Sequence, residues 1–243
     1  LYERYENLNA VRESIESAKD IIIKSYKSGG KLLLCGNGGS CADCDHIVGE
    51  LMKGFLKKRP LSFSMKEQMS SLDEGILSKL QRGLPAISLC SISSFNSAFC
   101  NDVEPALVYA QSVLALAKKD DILIAISTSG NSENVCNAVG VAKAVECKTI
   151  GLTGCAGGKL KAHTDVCICV PESETYKIQE LHLPIYHYIC MTVEKNIFNP
   201  DLPQEYLTNT RISKNLIENN LWNPDLPKIL KAKNLANKIK ISS

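Results

Sequence analysis

Five short apolar runs recur along this chain, at Lys31–Cys35, Ala86–Leu89, Ile122–Ile126, Lys148–Leu152 and Val166–Val170. Runs of four or five apolar residues between turn signals suit strands buried on both faces. The stretches between them carry helical periods instead. Leu8, Val11, Ile15, Ala18, Ile22 and Ile23 mark an amphipathic helix over Leu8–Lys27, stopped by Gly29-Gly30. Further helices are predicted over Val108–Ala117, Glu133–Val145 and from Thr175 to about Phe198. Strictly alternating strands and helices predict an α/β fold, a doubly wound five-stranded parallel sheet flanked by helices. In such a sheet ligands bind outside the carboxyl ends of the strands.

Two of the strand ends carry chemistry. Gly36-Asn37-Gly38-Gly39-Ser40 follows the first strand and opens a helix, so glycine backbone and helix N–H groups can meet an anion. Ser127-Thr128-Ser129-Gly130-Asn131-Ser132 follows the third strand and offers four hydroxyls ahead of the next helix. Neither loop fits the dinucleotide or P-loop pattern. His46 and Glu50, four residues apart behind the first loop, project from one helix face. Gln179 and His187 are eight residues apart on the last helix, a little over two turns, and so share roughly one side of it. A carboxylate with a histidine or a metal can take a proton from carbon beside a carbonyl and stabilise the enediolate.

The stretches CGNGGS…DHIVGEL, ISTSGNSENV, IGLTGCAGGKL and ETYKIQELHLPIYH resemble the sugar isomerase (SIS) family, most of all its sedoheptulose 7-phosphate isomerases, in order from about Leu8 to Phe198. The resemblance implies a phosphosugar aldose–ketose isomerase in which Glu50 and His187 are the catalytic acid/base pair. It implies substrate contacts at Asn37, Gly38, Gly39, Ser40, Asn101, Asp102, Ser127, Thr128, Ser129, Ser132, Thr175 and Gln179. It also implies one zinc per site on His46, Glu50, Gln179 and His187, whose two imidazoles, carboxylate and amide oxygen form a chemically coherent shell. A cytoplasmic homotetramer with sites between subunits is expected. Two positions depart from the family pattern: Gly54 stands where an arginine is common, leaving Lys53, Lys57 or Arg59 to supply charge, and Lys177 stands where arginine is more frequent. A non-catalytic phosphosugar-binding or regulatory module, or an isomerase of another phosphosugar, is the alternative; a pure binder needs neither Glu50 nor His187.

The SIS domain is expected over residues 1–198, with an insertion at about 57–83 whose Leu61, Met65, Met69, Leu72, Ile76 and Leu80 suggest one or two short amphipathic helices packing over a sheet edge. Residues 199–243 form a C-terminal extension, read as a helical arm, with the repeat Asn199-Pro200-Asp201-Leu202-Pro203 and Asn223-Pro224-Asp225-Leu226-Pro227. Ser91–Asp102 reads as a polar loop with one helical turn, Asp43 as a brace for the first loop, and His163 and His182 as exposed or structural. A net charge of +2 argues against a dedicated nucleic-acid or membrane surface. No apolar run has spanning length, and no signal-peptide pattern opens the chain. The eleven cysteines lack framework spacing and read as reduced thiols. Cys41-x-x-Cys44 reads as helix packing, with a redox or zinc pair the alternative; no second such motif completes a four-thiolate site.

Overall fold

A computed structural model describes residues 1–198. The described chain divides into two compact units, residues 1–53 with 83–193, and residues 54–82 with 194–198.

In the first unit a 3-10 turn at Glu6–Val11 leads into helix α1, Arg12–Lys27. Strand β1, Leu32–Gly36, has all five residues buried, which is why it reads as an unbroken apolar run rather than an alternating one. Helix α2, Gly39–Met52, follows two residues later and buries Ser40, Cys44, Ile47 and Leu51 along one face. In the second unit lie two short helices, α3 at Phe63–Gln68, capped by Ser62, and α4 at Glu74–Leu77, capped by Asp73. The first unit resumes with β2, Ala86–Ser88, α5, Ser93–Asp102, α6, Val108–Leu116, β3, Ile122–Ile126, and α7, Glu133–Ala144. Then come β4, Lys148–Thr153, α8, Gly158–His163, β5, Val166–Cys169, and α9, Thr175–Phe198, whose last five residues belong to the second unit.

The five strands run parallel in the order β2-β1-β3-β4-β5. Strand order reverses beside β1, so β1 and β3 are neighbours with Gly36 opposite Ile126. The loops after these two strands therefore open side by side at the switch point, where doubly wound sheets bind their ligands. Asp121 fixes the other end of β3: it takes the backbone N–H groups of Lys31 and Lys118 and pairs with the Lys31 ammonium. Helix α9 runs through Pro184, which has no N–H for the Glu180 carbonyl one turn back.

The second unit is held by a buried ion pair. Arg59 Nε lies 2.7 Å from Glu194 Oε1, and the Phe55 and Leu56 amides donate to the same carboxylate at 2.8 and 2.9 Å. The Arg59 and Arg82 guanidinium groups lie over the Phe198 ring. The insertion does form two short helices, but the expected apolar stripe does not close: Leu77 is buried, whereas Leu72, Ile76 and Leu80 are exposed. A second correction concerns Ser91–Asp102, where Ser93–Asp102 form a ten-residue helix rather than a loop with one turn. Its Phe95 and Phe99, one turn apart, pack against the core and supply the period that the serines and asparagines mask. The expected helical arm at 199–243 lies outside the described residues.

Candidate active site

The first loop is built for close approach. Gly38 sits at φ +55°, a conformation that an L side chain resists. At Gly39 a Cβ would come within 2.4 Å of the Gln179 amide, so α9 rests directly on the start of α2. Asn37 and Asn134 exchange two amide hydrogen bonds at 2.9 and 3.0 Å, tying the first loop to α7 behind the second. The Tyr109 hydroxyl donates to the Gly36 carbonyl at 2.8 Å.

The second loop is a hydroxyl network. Ser127, buried at the end of β3, lies 2.9 Å from the Ser132 hydroxyl and 3.4 Å from that of Ser129. Ser129 accepts from the Asn131 amide at 3.2 Å. Thr128 holds the neighbouring strand through its carbonyl, which accepts from Thr153 Oγ1 and the Gly154 amide. The remaining exposed hydroxyl and amide groups face the carboxyl end of the sheet with α7 starting at Glu133, an arrangement suited to a phosphate.

The acid/base cluster comes from α2 and α9. His46 Nε2 lies 3.3 Å from Glu50 Oε1 and 3.3 Å from His187 Nε2. On the other side of the ring, His46 Nδ1 is 3.0 Å from the Tyr186 hydroxyl, which also reaches Asp43 Oδ1 at 3.2 Å. If Tyr186 donates to Asp43, it accepts from Nδ1–H, and His46 Nε2 turns a lone pair toward Glu50 and His187. Burial raises the Asp43 carboxyl, opposed by Tyr186 and His46. Burial, with His46 alongside, lowers the His187 imidazole and keeps it neutral near pH 7, while Glu50 opposes this. Lys53 reaches the second Glu50 oxygen at 3.4 Å.

The structure thus brings together His46, Glu50 and His187. It sets Gln179 about 12 Å along α9 from His187, beside Gly39. Asn37, Gly38, Gly39 and Ser40 line the first loop, and Ser127, Thr128, Ser129 and Ser132 the second. Asn101 and Asp102 bond one another at 2.7 Å at the exposed end of α5, and Thr175 is exposed at the start of α9; among the described residues no hydrogen bond joins these three to the imidazoles. Arg59 is committed to Glu194, and Lys177 pairs with Glu174. Asp43 braces Tyr186 rather than the first loop. His182 is buried and His163 exposed, as expected. Tyr186, Tyr109 and Asn134 were not foreseen; each acts through a contact between elements far apart in sequence.

The zinc shell can be tested on donor geometry. Among the described residues no three His, Cys, Asp or Glu side chains are arranged as a formed metal centre. Yet ligands about 2.0–2.1 Å from a tetrahedral zinc stand roughly 3.3–3.4 Å apart, the separation that His46 Nε2 keeps from both Glu50 and His187. Lone pairs facing one another at that distance call for a cation or shared protons between them. The donor set fits zinc in chemistry and in these two edges.

Comparison with known proteins follows the same lines. SIS domain families match residues 3–82 and 96–190. The phosphoheptose isomerase of Aliarcobacter butzleri is 40% identical over 190 residues, covering 78% of this chain and 89% of that protein. That of Nitratiruptor sp. is 42% identical over 186 residues, covering 76% and 88%. The structure of phosphoheptose isomerase from Neisseria gonorrhoeae superposes with a TM-score of 0.65 at 31% identity, covering 79% of this chain and 91% of that one. Motifs, sheet order and overall likeness agree, and the chain belongs to the phosphoheptose isomerase family of SIS-domain aldose–ketose isomerases.

Proposed function

We propose that this chain interconverts sedoheptulose 7-phosphate and D-glycero-D-manno-heptose 7-phosphate, moving a proton between C1 and C2 through an enediol(ate). The observation that carries the reading is the meeting of Glu50 and His187 at His46, from helices distant in sequence. The two polar loops hold the phosphate and sugar hydroxyls. The Glu50 carboxylate removes the C1 proton of the ketose and returns it to C2, while neutral His187 moves the proton between O1 and O2 and assists ring opening. Zinc, when bound, would supply Lewis-acid stabilisation of the enediolate oxygens; His46, Glu50 and His187 would hold it, while Gln179, the fourth donor that the family resemblance names, lies beside Gly39. A homotetramer with sites between subunits is the assembly that goes with this reading.

The test is turnover of the purified protein with sedoheptulose 7-phosphate beside Glu50→Gln and His187→Gln, with and without added zinc. Wild-type turnover that falls at least about 10²-fold in both variants supports the assignment. A wild-type protein that binds phosphosugars without converting this heptose points to another substrate or to a sensor.

A further inference from the structure

Two thiols sit together behind the second loop, and isomerisation uses neither. Cys167 and Cys169 are two residues apart on β5, so both side chains leave the strand on one face. β5 is an edge strand of the sheet, and each thiol is only partly buried. The Cys169 thiol donates to Cys167 Sγ at 3.7 Å. Glycines make room for both sulfurs. Gly151 stands opposite Cys167 on β4, and a Cβ there would come within 2.9 Å of Cys167 Sγ. A Cβ at Gly157 would likewise come within 3.2 Å of Cys169 Sγ. The Gly157 carbonyl in turn lies against Gly130 of the second loop, 2.1 Å from where a Cβ would stand. Cys41-x-x-Cys44 differs, because Cys44 is turned into the buried face of α2.

We infer that Cys167 and Cys169 form a dithiol site for a mono-substituted trivalent arsenical, R–As(OH)2. Two sulfurs joined through a bent centre by bonds of about 2.3 Å stand roughly 3.5–3.8 Å apart, whereas a linear bridge needs about 4.6 Å. The observed 3.7 Å fits the bent geometry. Among the described residues no third His, Cys, Asp or Glu completes a metal cluster with the pair. A centre that asks for two thiolates is therefore matched, and a metal ion that asks for four protein donors is not. Each sulfur attacks arsenic; two As–S bonds form, two As–O bonds break, and each leaving hydroxide takes one thiol proton as water. Arsenic stays trivalent, so the step needs no oxidant. It also suits a thiol held protonated: burial, with Cys169 alongside, pushes Cys167 up to about 12. The ring closes over Ile168 alone, whose side chain is buried on the other face of the strand. Occupancy crowds Gly157 and, through it, the second loop.

The experiment reacts the full chain with one equivalent of phenylarsine oxide, whose hydrate is the acid above with R phenyl, in the presence of glutathione. Free thiols are blocked in urea with light N-ethylmaleimide and the arsenical is displaced with 2,3-dimercaptopropanol. The released thiols then take heavy N-ethylmaleimide before mass spectrometry. Trypsin leaves Cys167 and Cys169 on peptide 162–177 with no other cysteine. The expected result is two heavy labels on that peptide; fewer than two overturns the inference. Cys167→Ser and Cys169→Ser each remove half of the chelate and should bind the arsenical about 10²-fold more weakly. Binding by both variants as tight as that of the wild type overturns it as well. A several-fold rise in the KM for the heptose on arsenical binding is a further expectation that rests on the proposed function; the peptide map decides the dithiol site even if that function fails.

Discussion

His46 Nε2 and His187 Nε2 lie 3.3 Å apart although 141 residues separate them. The contact depends on how α2 and α9 are rotated, and Tyr186 sets part of that geometry by standing between Asp43 and the far side of the His46 ring.

Tyr186→Phe removes the hydroxyl and nothing else. Asp43 Oδ2 is buried without a hydrogen-bond partner among the described residues, so the variant leaves the whole carboxyl unpaired, at a cost of about 1–3 kcal/mol. Freed of its Nδ1 partner, His46 loses its fixed orientation. We expect kcat to fall roughly 10–100-fold with a smaller change in KM, measured by steady-state turnover. An unchanged kcat would remove Tyr186 from the positioning of His46.

Ser127→Ala tests the second loop. Its hydroxyl bridges Ser129 and Ser132. Loss of about 1 kcal/mol of hydrogen bonding should raise KM for the phosphosugar several-fold and leave kcat within a factor of a few. A kcat loss with KM intact would place Ser127 in the chemical step instead.

How much of this was legible without coordinates follows burial and distance along the chain. The strands were readable because β1 and β3 are buried on both faces, leaving uninterrupted apolar runs. Both loops were readable because glycine and hydroxyl residues cluster locally. Helix α5 was hidden because only Phe95 and Phe99 mark its inner face. The Tyr186–Asp43 pairing was hidden because no local pattern encodes which residue of α9 meets which residue of α2. The same holds for Arg59, available to a substrate by sequence alone but spent on Glu194 135 residues later.

That ion pair gives a stability prediction for the second unit. Arg59→Leu removes the cation paired with the Glu194 carboxylate, and Glu194→Leu removes the acceptor shared by the Arg59 guanidinium and the Phe55 and Leu56 amides. Each should cost about 3–5 kcal/mol, the second more than the first. Limited proteolysis within residues 54–82 reads the effect; equal resistance of both variants and wild type would contradict it.

His182 supplies a pH prediction. Burial lowers its pKa to about 4, with Thr153 O opposing weakly at 3.5 Å, and Nδ1 has no hydrogen-bond partner among the described residues. Because the folded pKa is depressed, the unfolded chain binds the proton first as pH falls below about 6.5. Stability is therefore full above that pH and declines toward pH 4, by on the order of 3 kcal/mol. Urea denaturation of His182→Leu should lack this acid-side slope; an identical slope would assign the loss to other groups.

The contact between Gly39 and Gln179 makes the two positions a single steric unit. A methyl group at 39 meets only the far end of the Gln179 side chain, so the amide must swing away from the first loop to admit it. Alanine at 39 should therefore move the Gln179 amide off the loop, and a smaller residue at 179 should accept the methyl group without that displacement. The glycine that opens the loop to an anion also keeps the Gln179 amide at the loop's edge, within reach of whatever the loop holds.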